Sequence, residues 1–261
     1  GERRCPRTRA SSGSRRTRPL LFGPDVKERQ METLTHLLFD PALAFPIRLT
    51  LKACAASAVL FVLVALPLAY YTAKRDTIVS KTVLFICTLP LIFPPVALGY
   101  LLLLVFGTNA PVGAFLKETF GMRIIFSETA VALSAFIAGL PLVIRPVKIA
   151  FESKTLAMLE EAARVCGATP LRTFFTVTLP TIRNAVLAAL LLGEARASGE
   201  VGITMMLGGN VADRTNTLSL EIFNAVGRGD FESATWLCLV LAAVALVLYV
   251  SLELIRSKSQ I

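Results

Sequence analysis

The sequence predicts an all-α integral membrane protein of about five transmembrane helices and one cytoplasmic helix, and three observations carry that reading. Hydrophobic residues fill 54% of the 261 positions and charged residues only 17%, the mean hydropathy is +0.66, and apolar runs near span length recur with short basic stretches between them. A soluble domain is less apolar and more charged than this.

The first thirty residues stand apart. Nine Lys or Arg face three acids there (Glu2, Asp25, Glu28), which accounts for most of the formal charge of +9. Such a stretch has too little apolar surface to offset its ordering entropy, so residues 1–30 are expected to be a disordered basic extension. They do not read as a signal peptide, because only Leu20, Leu21 and Phe22 precede Gly23-Pro24 where an apolar core of about 7 to 15 residues is needed. Met31 opens an ordinary membrane-protein start, so the arm is expected to be an upstream extension that is not native. Contact of the arm with anionic lipid or nucleic acid is the rival reading; for the chain as a whole, membrane lipid and no nucleic acid is expected as partner.

A bilayer core of about 30 Å needs about 20 mostly apolar helical residues. Five segments approach that: Leu49 to Thr72, Val83 to Phe106, Thr129 to Ile149, Ile182 to Leu207 and Thr235 to Leu254. The third is weakened by Arg145 and Lys148, the fourth by Gly193, Glu194, Arg196, Gly199 and Glu200. Lys74, Arg75 and Lys81 lie between spans one and two; Arg145, Lys148, Lys154, Arg164, Arg172 and Arg183 between three and four; Arg256 and Lys258 after five. Five spans put all three groups on one side, which the positive-inside rule makes the cytoplasm. Pro67, Pro90, Pro94, Pro95, Pro141 and Pro146 fall in or beside spans and are expected to bend or break them.

Between spans three and four lies a polar insertion, the loop 151–180. Leu156, Leu159, Ala163 and Cys166 recur at helical steps, which predicts a short amphipathic helix ended by Gly167 in a left-handed cap, with Pro170 shortly after. Glu161 is read as favouring the positive start of that helix. Pro180 is read as the point where the chain turns back into the membrane.

The same segment resembles the coupling loop of ABC importer permeases, whose pattern is Glu-Ala-Ala, three residues, Gly, nine residues, Ile, one residue, Leu-Pro. Glu161, Ala162, Ala163, Gly167, Leu179 and Pro180 match at every spacing, and Val177 replaces the isoleucine. The resemblance covers nearly all of residues 40–256 and is nearest to molybdate permeases. Leu89 to Leu104, with Pro94-Pro95 and Gly99-Tyr100, is similar to that group's second span. Glu194 to Thr204 is similar to the Arg-Ala-x-Gly-Glu-x-Gly-x-Thr stretch shared with sulfate permeases, with Val201 where an aromatic is usual. The resemblance implies a type I importer permease of MetI-like fold over residues 31–261, in a bacterial inner membrane. It implies a permease homodimer, a partner ATPase dimer that binds ATP and Mg, and a periplasmic or lipid-tethered binding protein. Sulfate, thiosulfate or tungstate are the alternative cargoes.

Intramembrane charge is costly, about 2.5 to 3.5 kcal/mol per group on insertion scales, so Glu194, Arg196 and Glu200 need a reason. Arg196 and Glu200 are four apart and are expected to pair on one helix face. Either they lock this helix to its neighbours or they line or gate an anion path, for which Thr204, Asn210 and Thr215 are further candidates. Catalytic and metal-ligating residues are not expected. His36 is the one histidine, and Cys5, Cys54, Cys87, Cys166 and Cys238 have no ligand spacing. No phosphate-binding loop, not even a Gly-Lys pair, occurs in the sequence, so no cofactor is expected in this chain. A membrane-embedded enzyme wants convergent catalytic groups on facing spans, and an anion channel leaves the Glu161 to Pro180 loop unexplained.

Overall fold

The computed structural model describes residues 41–108, 110–121 and 124–258. The expectations for residues 1–30, Met31 and His36 lie outside the described residues. Every regular element among those described is helical.

Span one is α1 (Pro41–Leu60), a π turn (Phe61–Ala65) and α2 (Leu66–Lys74), running on without a break. The π turn lies directly ahead of Leu66-Pro67. A proline strikes the carbonyl four residues back and removes one helical bond, and the wider turn makes room for it, so the helix bends its bonding pattern instead of ending. Span two departs from the expectation of one helix. It is α3 (Ile78–Ile92), capped by the Thr77 hydroxyl on Ser80 N–H, and α4 (Pro95–Phe106), with the break at Phe93-Pro94. Pro95 occupies the first helical position, where its missing donor costs nothing. A helix that sequence reading missed, α5 (Pro111–Phe120), follows and ends in left-handed Gly121.

Span three, α6 (Glu128–Phe151), is the centre of the fold and passes through Pro141 and Pro146 without breaking, so of the two expected effects of those prolines the break does not occur. Arg145 and Lys148 made it a weak span by sequence, yet it is the most enclosed of the three long apolar helices. Its neighbours are α9 (Leu179–Ser198) on one side and α1 and α2 on the other. The α6–α9 crossing is set by two glycines. A Cβ at Gly139 would lie 2.5 Å from the Gly193 carbonyl oxygen, and one at Gly193 would lie 2.4 Å from a Val143 methyl. Phe61 fills the space beside them, wholly buried and 5.4 Å from the Phe136 ring centre. Val143, Ile144, Val147, Ile182 and Ala189 extend the same core.

Beyond α6 come α7 (Lys154–Val165), α8 (Pro170–Thr173) and a second π turn (Phe174–Thr178) that leads straight into α9. Span four is therefore part of one rod from Pro170 to Ser198, and the helix begins at Pro170, ten residues ahead of Pro180. The reason is the one seen in span one: a π turn directly precedes Leu179-Pro180 and absorbs the proline. At its other end the predicted span 182–207 is interrupted at 199–201 and resumes as α10 (Gly202–Gly208). A short apolar helix not foreseen in the sequence, α11 (Leu218–Gly227), leads to the last span, α12 (Phe231–Lys258).

Candidate functional site

Two places in the fold gather the chemistry. The first is the end of the molecule where α2, α6 and α9 meet α7. Ser153 caps α7 by accepting from Leu156 N–H, and the wholly buried Leu156 side chain plugs the first turn into the α6 core. Gly167 has φ +79°, the left-handed geometry that ends the helix as the sequence predicts.

The face of α7 differs from the expected one. Leu156 faces inward, but Leu159 is 43% exposed and Cys166 lies on the surface. The inward positions are Leu156, Glu160 and the half-buried Ala163. The outward ones are Met158, Glu161, Ala162 and Val165, of which Met158 and Val165 are 64% and 84% exposed. Glu161 sits in the second half of α7 and so does not serve the positive helix start; the correction follows from where Ser153 opens the helix. Leu179 and Pro180 are exposed as well.

Glu160, which sequence reasoning passed over, holds this end together. Its Oε2 accepts from Lys74 Nζ at 2.7 Å and its Oε1 from the Thr178 hydroxyl at 2.8 Å. Burial pushes the Glu160 carboxyl up, but the hydrogen bonds from Lys74 and Thr178, with the positive charges of Lys74 and Arg164, outweigh that and hold it below the usual carboxylate value of 4.5. Tyr70 stands edge-on to Phe151 at 5.2 Å and to Phe174 at 5.7 Å. The one sequence signal for Glu160 was a charge on the inward side of a helix beside a fully apolar neighbour turn.

The second place is the break between α9 and α10. The Glu200 side chain is 2% exposed; its Oε2 pairs with Arg196 Nη1 and its Oε1 accepts from Ile203 N–H at 2.7 Å. The predicted pair is present, but not on one helix face, because α9 ends at Ser198 and Glu200 has turned to take up a free N–H at the start of α10. Gly202 makes this approach feasible: a Cβ there would lie 2.7 Å from Pro95, and one at Gly99 would lie 2.8 Å from Met206 Cβ, so α10 and α4 pack backbone to backbone. Thr204 is buried beside Glu200, Thr50, Cys54, Ser198 and Thr217 around a cavity of about 10 Å³, the size of one water. Thr215 is wholly buried, donating to Gly208 O at 2.7 Å and accepting from Val211 N–H, so it pins a loop. Asn210, at φ +50°, exchanges hydrogen bonds with Asn224. Of the five pathway candidates, Arg196 shows the largest charged surface, with 32% of its side chain exposed. Glu194 is 6% exposed and takes its hydrogen bond from Ser57 across the α1–α9 contact at 3.0 Å, a partner the sequence did not reveal.

Apart from Thr50, Cys54 and Ser57 on α1, both places fall inside a single stretch of homology. The family of binding-protein-dependent transport system inner membrane components matches residues 65–257. This chain belongs to that family. The permease is 33% identical to the molybdenum transport system permease protein ModB of Haemophilus influenzae over 215 residues, 82% of this chain and 93% of the relative. It is 34% identical to ModB of Escherichia coli K12, over 72% of this chain and 84% of the relative. A chloroplastic sulfate permease 2 of Chlamydomonas reinhardtii is 37% identical over 158 residues, 60% of this chain but 42% of that longer protein. The protein is thus a multi-pass permease subunit of MetI-like fold, and membership of the family implies an ATPase and a substrate-binding protein as its partners. Among the described residues no group of three His, Cys, Asp or Glu is placed to hold a metal ion.

Proposed function

We propose that this permease moves molybdate across the bacterial inner membrane, as a homodimer driven by two copies of a separate ATPase that binds ATP and Mg. The observation that carries the coupling half of this reading is the outward face of α7. Met158, Ala162 and Val165 form an exposed apolar stripe on a helix anchored at its other face, and a stripe of that kind on a cytoplasmic helix fits a groove on a partner. The substrate follows from the relatives whose names specify molybdenum and which cover most of this chain.

The mechanism is alternating access. ATP closes the ATPase dimer, the two α7 helices are drawn with it, and the spans pass from inward-open to outward-open to receive the anion from the binding protein. Arg196, with its guanidinium partly exposed and neutralised by Glu200, is proposed to meet the path, while Glu200, Thr204, Asn210 and Thr215 hold the broken helix ends in place. A cation already paired attracts an oxyanion without trapping it, which suits transport better than tight binding.

Reconstitution with the ATPase and binding protein in proteoliposomes tests this. ATP-dependent accumulation of labelled molybdate, resisting excess sulfate, is the expected result. Sulfate uptake in preference to molybdate would transfer the assignment to the sulfate branch, and flux without ATP would remove the importer reading altogether.

A further inference from the structure

Resting on the importer reading above, we infer that Glu160 is a positioning residue that makes α7 and the inner ends of spans one and four move as one body. The outward stripe of α7 binds whatever pulls it; the inward face decides where the pull goes. Leu156 anchors only the first turn. Two turns of helix beyond that anchor face outward at Met158, Glu161, Ala162 and Val165 and would swing on it without a second attachment.

Glu160 supplies that attachment to two spans at once. Lys74, its partner on one oxygen, is the last residue of α2. Thr178, its partner on the other, is 2% exposed and is the last residue of the π turn that enters α9. Each partner belongs to a rod that carries a π turn ahead of a Leu-Pro pair, Leu66-Pro67 in one and Leu179-Pro180 in the other. π turns are where helices most readily change their bonding pattern. The attachment therefore joins the pulled helix to the π turn of span four directly and, in span one, to the end of the rod that carries the other π turn. An apolar cleft of about 520 Å³ between Leu66, Tyr70, Phe151, Phe174 and Val186 lies beside the joint and leaves room for the rods to shift. Charge-assisted bonds of this length are the strong kind, and bidentate use of one carboxylate fixes direction as well as contact. Glu161, by contrast, faces away and makes none of these contacts.

The test uses the assembled complex and two readouts. Glu160→Gln is expected to bind the ATPase and sustain ATP hydrolysis but to lower the anion moved per ATP by about tenfold, within the range of coupling factors between linked sites. The charge exchange Lys74→Glu with Glu160→Lys is expected to restore much of that ratio. The second readout is independent of the anion. Spin labels on the native Cys166 and on Arg75→Cys, with the other cysteines replaced and the labelled permease diluted into unlabelled permease so that each complex carries one labelled protomer, should give one narrow distance distribution with and without ATP. In Glu160→Gln the distribution should broaden and become nucleotide-dependent. Equal distributions in both proteins, an unchanged transport ratio in Glu160→Gln, or loss of ATPase binding in that variant would overturn the inference. If the unaltered complex hydrolyses ATP and moves no molybdate, the substrate assignment fails while the label distances still decide the role of Glu160.

Discussion

At Gly167 the backbone takes φ +79° with open space around it, so a side chain there is penalised by conformation alone, by about 1 to 2 kcal/mol for most residues and by less for Asn or Asp. Gly167→Asp is expected to abolish transport while the protein still inserts, because the α7 terminus is displaced from its partner; membrane content by immunoblot beside uptake separates the two effects. Glu160 gives a pH signature of known sign. Its folded value is depressed, so its stabilisation is fully present above the unfolded carboxylate value of 4.5 and is lost as pH falls through the lower folded value. The melting temperature of detergent-solubilised protein should therefore drop on acidification below that value, and the drop should be smaller in Glu160→Gln. The Arg196–Glu200 pair predicts an asymmetry. Arg196→Ala strands a carboxylate with 2% exposure, which is destabilising because a buried charge loses its partner, whereas Glu200→Gln keeps an acceptor for Ile203 N–H and leaves behind a cation that reaches solvent. The first variant should melt well below the second.

Between elements, packing turns on glycines and prolines more than on large side chains. Gly193→Val forces a methyl into Val143 and Phe61 where even a Cβ has no room, and overpacking of this kind costs about 1 to 3 kcal/mol. The same change at Gly199, where a Cβ would meet nothing nearer than 3.9 Å, should be tolerated; thermal melts of the two variants check the contrast. The prolines divide by local geometry. Pro94-Pro95 splits a span because two adjacent donors are missing, Pro67 and Pro180 are absorbed by π turns, and Pro141 and Pro146 are carried by the best-packed helix. Proline content alone does not separate these outcomes, since each depends on what surrounds the freed carbonyl.

For the molecule as a whole, one end each of spans one, three and four converges on α7, as the ion pair of Lys74 with Glu160 and the ring contacts of Tyr70 with Phe151 and Phe174 show. Of the basic groups used to orient the chain, Lys74 thus meets the helix that carries Lys154 and Arg164. If that end is cytoplasmic, a membrane-impermeant maleimide should label the exposed Cys166 in inside-out vesicles and not in intact cells, in protein carrying Cys5→Ser and Cys238→Ser, while the buried Cys54 and Cys87 stay unlabelled. Labelling of Cys166 from outside would invert the topology and dismiss the coupling role of α7.

Sequence by itself determined the class of protein and where its apolar helices lie, because hydropathy is a local property written along the chain; it missed that span two is two helices and that the helix of span four runs 170–198 instead of 182–207. It also identified Arg196 with Glu200 and the left-handed Gly167. Only the tertiary structure decided which face of α7 looks inward, that Glu160 and not Glu161 binds the spans, that α9 ends before Glu200, and that Gly139 meets Gly193. Those facts depend on residues 86, 18 or more than 50 positions apart meeting in space, and such meetings are set by how helices cross, a quantity that no window along the chain contains.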